Sequence, residues 1–211
     1  YGACGATGTG KFADLAISAT VTLQGRKAMD IKKEILPQRF PGIDIVYGDT
    51  DSVMVTFADA YDVQTCGLRG EEASVFVTDH FAYLGYPQMI LEFEKCYLPY
   101  LLEGKKRYAG LKYEPDGEGT MQLKGIDCKG IETERKDTLP FVKDIMHGCL
   151  NILMYKMDEQ EALSFFQQKM REFIDGKIEF DKFIMRKNLS AKAEKKPDQL
   201  IQAHVNALRR A

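Results

Sequence analysis

The stretch Ile43-Asp44-Ile45-Val46-Tyr47-Gly48-Asp49-Thr50-Asp51-Ser52-Val53-Met54-Val55-Thr56-Phe57 constrains the fold more than any other part of the chain. Two β-branched runs flank a Gly48-Asp49-Thr50 turn, and Pro41-Gly42 bounds them on the N-terminal side. Such runs around a short polar turn form a β-hairpin. Its tip carries Asp49 and Asp51 two residues apart. Neighbouring carboxylates repel, and a cation relieves the repulsion; oxygen ligands of this kind suit Mg²⁺ held together with substrate phosphates. Asp and Ser also bond their own backbone at ordinary turns. The tip by itself therefore leaves two readings, a metal-dependent phosphoryl-transfer site and a structural turn.

Charge is unevenly divided along the chain. Residues 1–104 carry eight Lys and Arg against fourteen Asp and Glu, whereas residues 182–211 carry eight against two. An acidic, metal-binding part joined to a basic part suits an enzyme acting on a polyanion; solvated surface charge is the plainer account. No apolar run approaches the length of a membrane span. The five cysteines are irregularly spaced, so neither a disulfide framework nor a paired zinc motif is expected, and reduced thiols in an intracellular protein are. The chain opens on Tyr1-Gly2 rather than Met and reads as part of a longer polypeptide.

Periodicity and turn residues set out the remaining elements. A helix is expected from about Phe12 to Leu36, stopped by Pro37. Asp59–Gly67 reads as a loop and Leu68–Leu84 as an amphipathic helix, with His80 packed on it rather than acting as a ligand. From Leu91 to Tyr97 apolar and charged residues alternate, which predicts a half-buried strand that Tyr100–Leu102 continues. Lys105–Tyr113 reads as a strand carrying adjacent cations and an aromatic, suited either to phosphates and groove edges or to a charge-protected sheet edge. Thr120–Gly125 is a short strand, and Lys124–Asp137 a charged connector. Leu139–Met157 and Glu159–Ile174 are helices whose Met and Phe residues serve the core, Phe180–Met185 a short strand and Pro197–Arg210 a final helix. A boundary near residue 130 thus separates a mixed part from a helical one. Gly5-x-x-x-x-Gly10-Lys11 invites a phosphate-loop reading, but Phe12 stands where the Mg²⁺-ligating Ser or Thr belongs and no strand precedes the loop.

Several blocks together carry a family resemblance. Tyr47-Gly48-Asp49-Thr50-Asp51-Ser52 resembles motif C of the family B DNA polymerases, and Tyr1-Gly2 the end of their motif B. Ile17-Ser18-Ala19-Thr20-Val21-Thr22-Leu23-Gln24-Gly25-Arg26 is similar to the helix running from fingers to palm. Leu91-Glu92-Phe93-Glu94-Lys95 and Lys105-Lys106-Arg107-Tyr108 resemble palm strands that grip the primer. Asp127-Cys128-Lys129-Gly130-Ile131-Glu132, with Arg135 and Asp137, resembles the entry to the thumb, and Gln202-Ala203-His204-Val205 a thumb segment. The blocks follow family order along essentially the whole chain. They lean towards the eukaryotic replicative and large DNA-virus branch, and the Thr-Val-Thr-Leu-Gln-Gly-Arg run towards herpesvirus-like enzymes.

The resemblance implies an α/β (α+β) palm with an antiparallel sheet over residues 1–130, followed by a mostly helical partial thumb over 131–211. It implies DNA-directed nucleotidyl transfer from dNTP to a primer 3′-hydroxyl by two-metal catalysis in DNA replication. Asp51 would be a direct Mg²⁺ ligand and Asp49 an acidic helper; the motif A carboxylate that completes the cage lies upstream in this family, so this stretch alone is expected to be inactive. Glu92 and Glu94 would form an outer acidic shell or serve in salt bridges. Tyr1, Gly2 and Thr50 would face the incoming nucleotide. Lys106 and Tyr108 would read the primer terminus at the minor groove, while Lys105 and Arg107 hold phosphates. Primer–template DNA, dNTP and a processivity factor are the implied partners, no membrane is, and the location is nuclear, or the host nucleus for a viral protein. Ala3-Cys4 departs from the Phe-Thr expected after Tyr-Gly. The rival in another class is a non-catalytic, polymerase-like DNA-binding or scaffold subunit.

Overall fold

The computed structural model describes residues 2–5, 13–49, 51–131, 133 and 138–185. Contacts divide the chain into two compact units, one of Tyr1–Ile131 with Met154–Lys156, the other of Glu132–Leu153 with Met157–Ala211. The fold class is α+β, with antiparallel sheets followed by a helical region. Tyr1, Thr50 and the final predicted helix, Pro197–Arg210, lie outside the described residues.

In the first unit a single helical turn, α1 (Gly2–Gly5), precedes the long helix α2 (Leu15–Arg39). Asp14 caps α2 by accepting from the Ala16 and Ile17 amides at 2.8 and 3.2 Å, which satisfies two otherwise orphaned donors. The helix runs through Pro37 to Arg39, contrary to expectation. Proline fixes a helix-compatible φ and sacrifices one backbone donor; the Phe40 amide still closes the last turn onto the Leu36 carbonyl at 2.9 Å. Ala28, Met29, Lys32, Ile35 and Leu36 form the buried face.

Strands β1 (Ile43–Asp49) and β2 (Ser52–Phe57) form the expected hairpin, paired from Ile43–Phe57 to Asp49–Ser52 with an irregularity between Ile45 and Tyr47. Gly48 and Asp49, read as part of the turn from sequence, belong to β1, and the ladder closes at the Asp49–Ser52 pair. Helix α3 (Val63–Tyr83) follows, capped by Asp62. It begins five residues before the predicted Leu68, because Asp62 accepts from both the amide and the hydroxyl of Thr65 at 2.8 Å. Ala28, Ile35 and Leu36 from α2, Phe40 at its C-cap, Phe57 from β2 and Ala73, Val77 and Phe81 from α3 make one apolar cluster, so two helices support the hairpin.

Residues 91–95 join no ladder, which corrects the strand predicted there. Their alternation is real, with Leu91 and Phe93 turned inward and Glu92 and Glu94 exposed. Their partner is a helix. The Thr78 hydroxyl accepts from the Leu91 amide at 3.0 Å and donates to its carbonyl at 3.2 Å, and Phe93 packs where any side chain at Gly70 would stand.

Strands β3 (Cys96–Gly104), β4 (Arg107–Pro115) and β5 (Met121–Lys129) form an antiparallel sheet in that order. Thus β5 takes the first half of the predicted charged connector. Lys105-Lys106 make the β3–β4 turn instead of opening a strand, with Lys106 at φ 61°. Gly110 is required by a close approach: a side chain there would meet the Tyr97 ring and the Pro99 carbonyl.

The second unit is helical. Helices α4 (Pro140–Lys156) and α5 (Glu159–Ile174) are joined through Met157, which adopts a left-handed conformation, and Asp158, which caps α5 by accepting from the Glu161 amide at 2.8 Å. Phe180–Phe183 is a 3₁₀ turn where a strand was expected. It brings Phe183 within 5.4 and 5.7 Å of the Phe141 and Phe173 ring centres, closing an aromatic trio that a strand could not reach so locally.

Candidate active site

The acidic hairpin tip faces the basic turn of the sheet. The Tyr47 hydroxyl accepts from the Lys106 amide at 2.9 Å, and the Lys106 Nζ lies 3.4 Å from Asp49 Oδ1. Two turns distant in sequence are therefore joined by one backbone hydrogen bond and one ion pair. The Lys106 side chain is 70% exposed, so the pair adds at most about 1 kcal/mol to stability and is better regarded as fixing charge than as holding the fold. Asp51 is exposed, and its amide donates to the Asp49 carbonyl at 2.7 Å.

Beneath the tip lies helix α2. Gly48 rests over Met29, whose Sδ would be 3.4 Å from any added Cβ. One helical turn on, the Lys32 Nζ donates to the Asp51 main-chain carbonyl at 2.6 Å. Lys32 is only 4% exposed. Burial pulls its pKa down, opposed by the Asp51 carboxylate.

Four tyrosines occupy the space between hairpin and sheet. Tyr97 stacks on Tyr100 at 5.3 Å; Tyr108 meets Tyr47, Tyr97 and Tyr100 at 6.3, 5.9 and 5.5 Å. The Tyr100 hydroxyl donates to the Met54 sulfur at 3.0 Å. Burial, helped by the neighbouring tyrosines, pushes the Tyr100 phenol up to about 12. Burial and the hydrogen bond to Asp127 raise Tyr97 as well, so these hydroxyls remain donors at neutral pH. Burial opposes ionisation of Asp127, yet the Tyr97 hydroxyl at 2.6 Å and Lys129 at 3.4 Å hold its carboxyl below the usual range.

A pH test follows. A carboxyl depressed on folding contributes stability above its unfolded pKa, near 3.9, and loses it as pH falls through the lower folded value. Tyr97→Phe is expected to cost about 1.5–3 kcal/mol at pH 7, as for a hydrogen bond to a charged group. The gap from wild type should narrow as pH falls below the unfolded carboxyl value towards the lower folded one. Melting curves at stepped pH would check it, and a gap constant down to pH 3 would remove the charged hydrogen bond from the account.

The structure places Lys106 beside Asp49, with Asp51 on the same hairpin tip. Lys105 is exposed on the same turn, and Arg107 pairs with Glu103 at 3.2 Å. Tyr108 lies in the tyrosine cluster, 8% exposed, because β4 turns its Tyr108–Leu111 run inward. Glu92 lines a groove with Glu71, Thr78, Asp79 and Ile90, and Glu94 lies 3.9 Å from Lys95. Among the described residues no group of three or more His, Cys, Asp or Glu side chains is arranged to hold a metal, so neither glutamate completes a ligand set with the tip. Gly2 lies in α1. Lys32 was not picked out from sequence, although a lysine in register with Ala28, Met29, Ile35 and Leu36 is the signal that would have found it.

The family model for DNA polymerase family B matches residues 1–211. The chain is 39% identical to the DNA polymerase delta catalytic subunit of Caenorhabditis elegans over 216 aligned positions, covering 97% of the chain and 19% of that relative. It is 35% identical to the Candida albicans delta catalytic subunit, covering 100% of the chain and 20% of the relative, and 34% identical to that of Bos taurus, covering 100% and 19%. The chain belongs to DNA polymerase family B, and it spans about a fifth of the length of these relatives. The relatives are eukaryotic replicative enzymes, so the leaning towards herpesvirus-like sequences is not needed. Among the described residues no helix is long and apolar enough to cross a membrane.

Proposed function

We propose that this chain is the motif C hairpin, primer-facing sheet and first thumb helices of a DNA-directed DNA polymerase acting in nuclear DNA replication. Residues 1–130 are its partial palm and 131–211 its partial thumb. The observation that carries the reading is the apposition of Asp49 and Lys106 at 3.4 Å on two tips tied through Tyr47. An acidic tip beside a basic tip is what a reaction at the end of a polyanion requires: one side for cations and phosphates, the other for the strand that bears the hydroxyl.

The donor chemistry fits a divalent ion of the Mg²⁺ type. Both tip carboxylates are hard oxygen donors, and Asp49 already draws an ammonium to itself. Asp51 would be a direct ligand and Asp49 its helper, with the remaining carboxylate supplied by the motif A segment of the whole protein. When bound, the metal pair lowers the pKa of the primer 3′-hydroxyl and neutralises charge on the triphosphate. The 3′-oxygen forms a bond to the α-phosphorus while the bond from that phosphorus to its leaving oxygen breaks, releasing pyrophosphate. Lys106 lies at the primer end and Lys105 and Arg107 hold backbone phosphates. Tyr108 acts from beneath, by seating Tyr47 and the turn. Tyr1, Gly2 and Thr50 border the incoming nucleotide. Primer–template DNA and dNTP are the substrates, and a processivity factor engages the whole protein.

Lys106→Ala in the full-length enzyme tests this. Primer extension should fall about 10- to 100-fold, while duplex affinity falls less and its salt slope decreases by about one. Equal loss of extension and affinity would reduce Lys106 to a general phosphate contact and remove the apposition from the catalytic argument.

A further inference from the structure

Lys32 is an anomaly on α2. It occupies a core position between Met29 and Leu36 and is 4% exposed, yet it carries an ammonium. Among the described residues no carboxylate lies within ion-pair distance; its acceptor is the Asp51 main-chain carbonyl at 2.6 Å. A buried ammonium on a backbone oxygen is a costly way to stabilise a helix, since a methionine of similar length would fill the space without desolvating a charge. The carbonyl it holds belongs to the residue whose side chain is the tip's foremost ligand candidate. The same helix turn supports Gly48 through Met29, so the floor of the tip is made by Met29 and Lys32 together.

We infer that Lys32 is a positioning residue for the acidic turn, clamping the Asp51 carbonyl from below so that its carboxylate stays directed outward for substrate and metal. This rests on the reading that the tip is catalytic. The side chain makes no contact with substrate; it acts by restricting one peptide unit. The hairpin's ladder closes at the Asp49–Ser52 pair, and around it the described bonds are local. The Asp51 amide reaches back to the Asp49 carbonyl and the Ser52 hydroxyl to the same oxygen at 3.2 Å. Lys32 is thus a bond that ties Asp51 to the helical layer.

The experiment compares Lys32→Met and Lys32→Arg in the full-length polymerase. In metal-free buffer, hydrogen exchange of peptides covering residues 47–53 should quicken about tenfold in Lys32→Met, the loss expected for one hydrogen bond from a charged donor. The melting temperature should stay level or rise, because an apolar side chain replaces a buried charge. With Mg²⁺, kcat should fall about 10-fold or more while the KM for dNTP and the primer–template Kd stay within about threefold. Lys32→Arg, which retains a cationic donor, should recover part of the loss. Unchanged exchange at 47–53 would overturn the inference. So would a loss of activity that tracks a fall in melting temperature, which marks a merely structural lysine, or Mg²⁺ binding that tightens with unaltered exchange, which marks a charge effect. Asp51→Ala run in parallel separates the two ideas: undiminished turnover there sinks the catalytic reading, and the exchange data still decide whether Lys32 holds the turn.

Discussion

Asp51→Ala in the full-length polymerase is expected to lower single-nucleotide incorporation by at least about a thousandfold, with primer–template affinity held within about threefold. The reasoning runs from the fold. Asp51 is exposed at the hairpin connection, and its main chain is fixed by Lys32 from below and by its own amide to Asp49. Its side chain is therefore free to serve a ligand role without serving the core. Removing it would delete the proposed metal ligand but no packed surface, so folding and duplex binding should survive. Rapid-quench incorporation and a filter-binding titration would measure the two quantities. Turnover near wild type would return the acidic tip to ordinary turn chemistry and favour the scaffold-like alternative.

Gly130→Ala is expected to be the most damaging single methyl in the sheet, costing about 2–4 kcal/mol. Gly130 follows β5 at φ 65°, where any side chain is strained, and a Cβ there would overlap the Lys106 carbonyl oxygen. The overlap is with backbone, so it cannot be relieved by a rotamer change. The β3–β4 turn must move, and with it the amide bound by Tyr47. Faster proteolysis or hydrogen exchange at residues 104–108, with reduced primer extension, would be the signature. A variant as stable as wild type would mean that the two backbones are less tightly opposed than described.

Much of this architecture could be read from the sequence, and what could not has identifiable causes. The hairpin was legible because β-branched alternation and turn residues agree there. The helices of the second unit were legible for the same reason at a period near four. Residues 91–95 misled because period-two alternation reports which side chains face inward, not which group bonds the backbone; there the partner is Thr78 on a helix. Lys105 and Lys106 misled because a lysine in a left-handed turn looks, residue by residue, like the start of a charged strand. Within the site, Asp49, Asp51 and Lys106 followed from motifs. The burial of Tyr108 did not, since its environment is assembled from Tyr47, Tyr97 and Tyr100, brought together only by the packing of two sheets. Lys32 escaped notice because a charge inside an apolar stripe is ordinarily taken as slippage of the stripe.

On the proposed role of Lys106, its left-handed backbone sets folding and activity against each other at one position. Glycine would adopt φ 61° without penalty, whereas lysine gives up about 1 kcal/mol to stand there. A polypeptide selected for stability alone would drift towards glycine or asparagine at this turn. Lys106→Gly should accordingly melt no lower than Lys106→Ala while extending primers as poorly as the alanine variant. If Lys106 serves the primer as proposed, screens that rank variants by thermostability would enrich a substitution that disarms the enzyme, and a stabilised version would need that lysine held fixed by design.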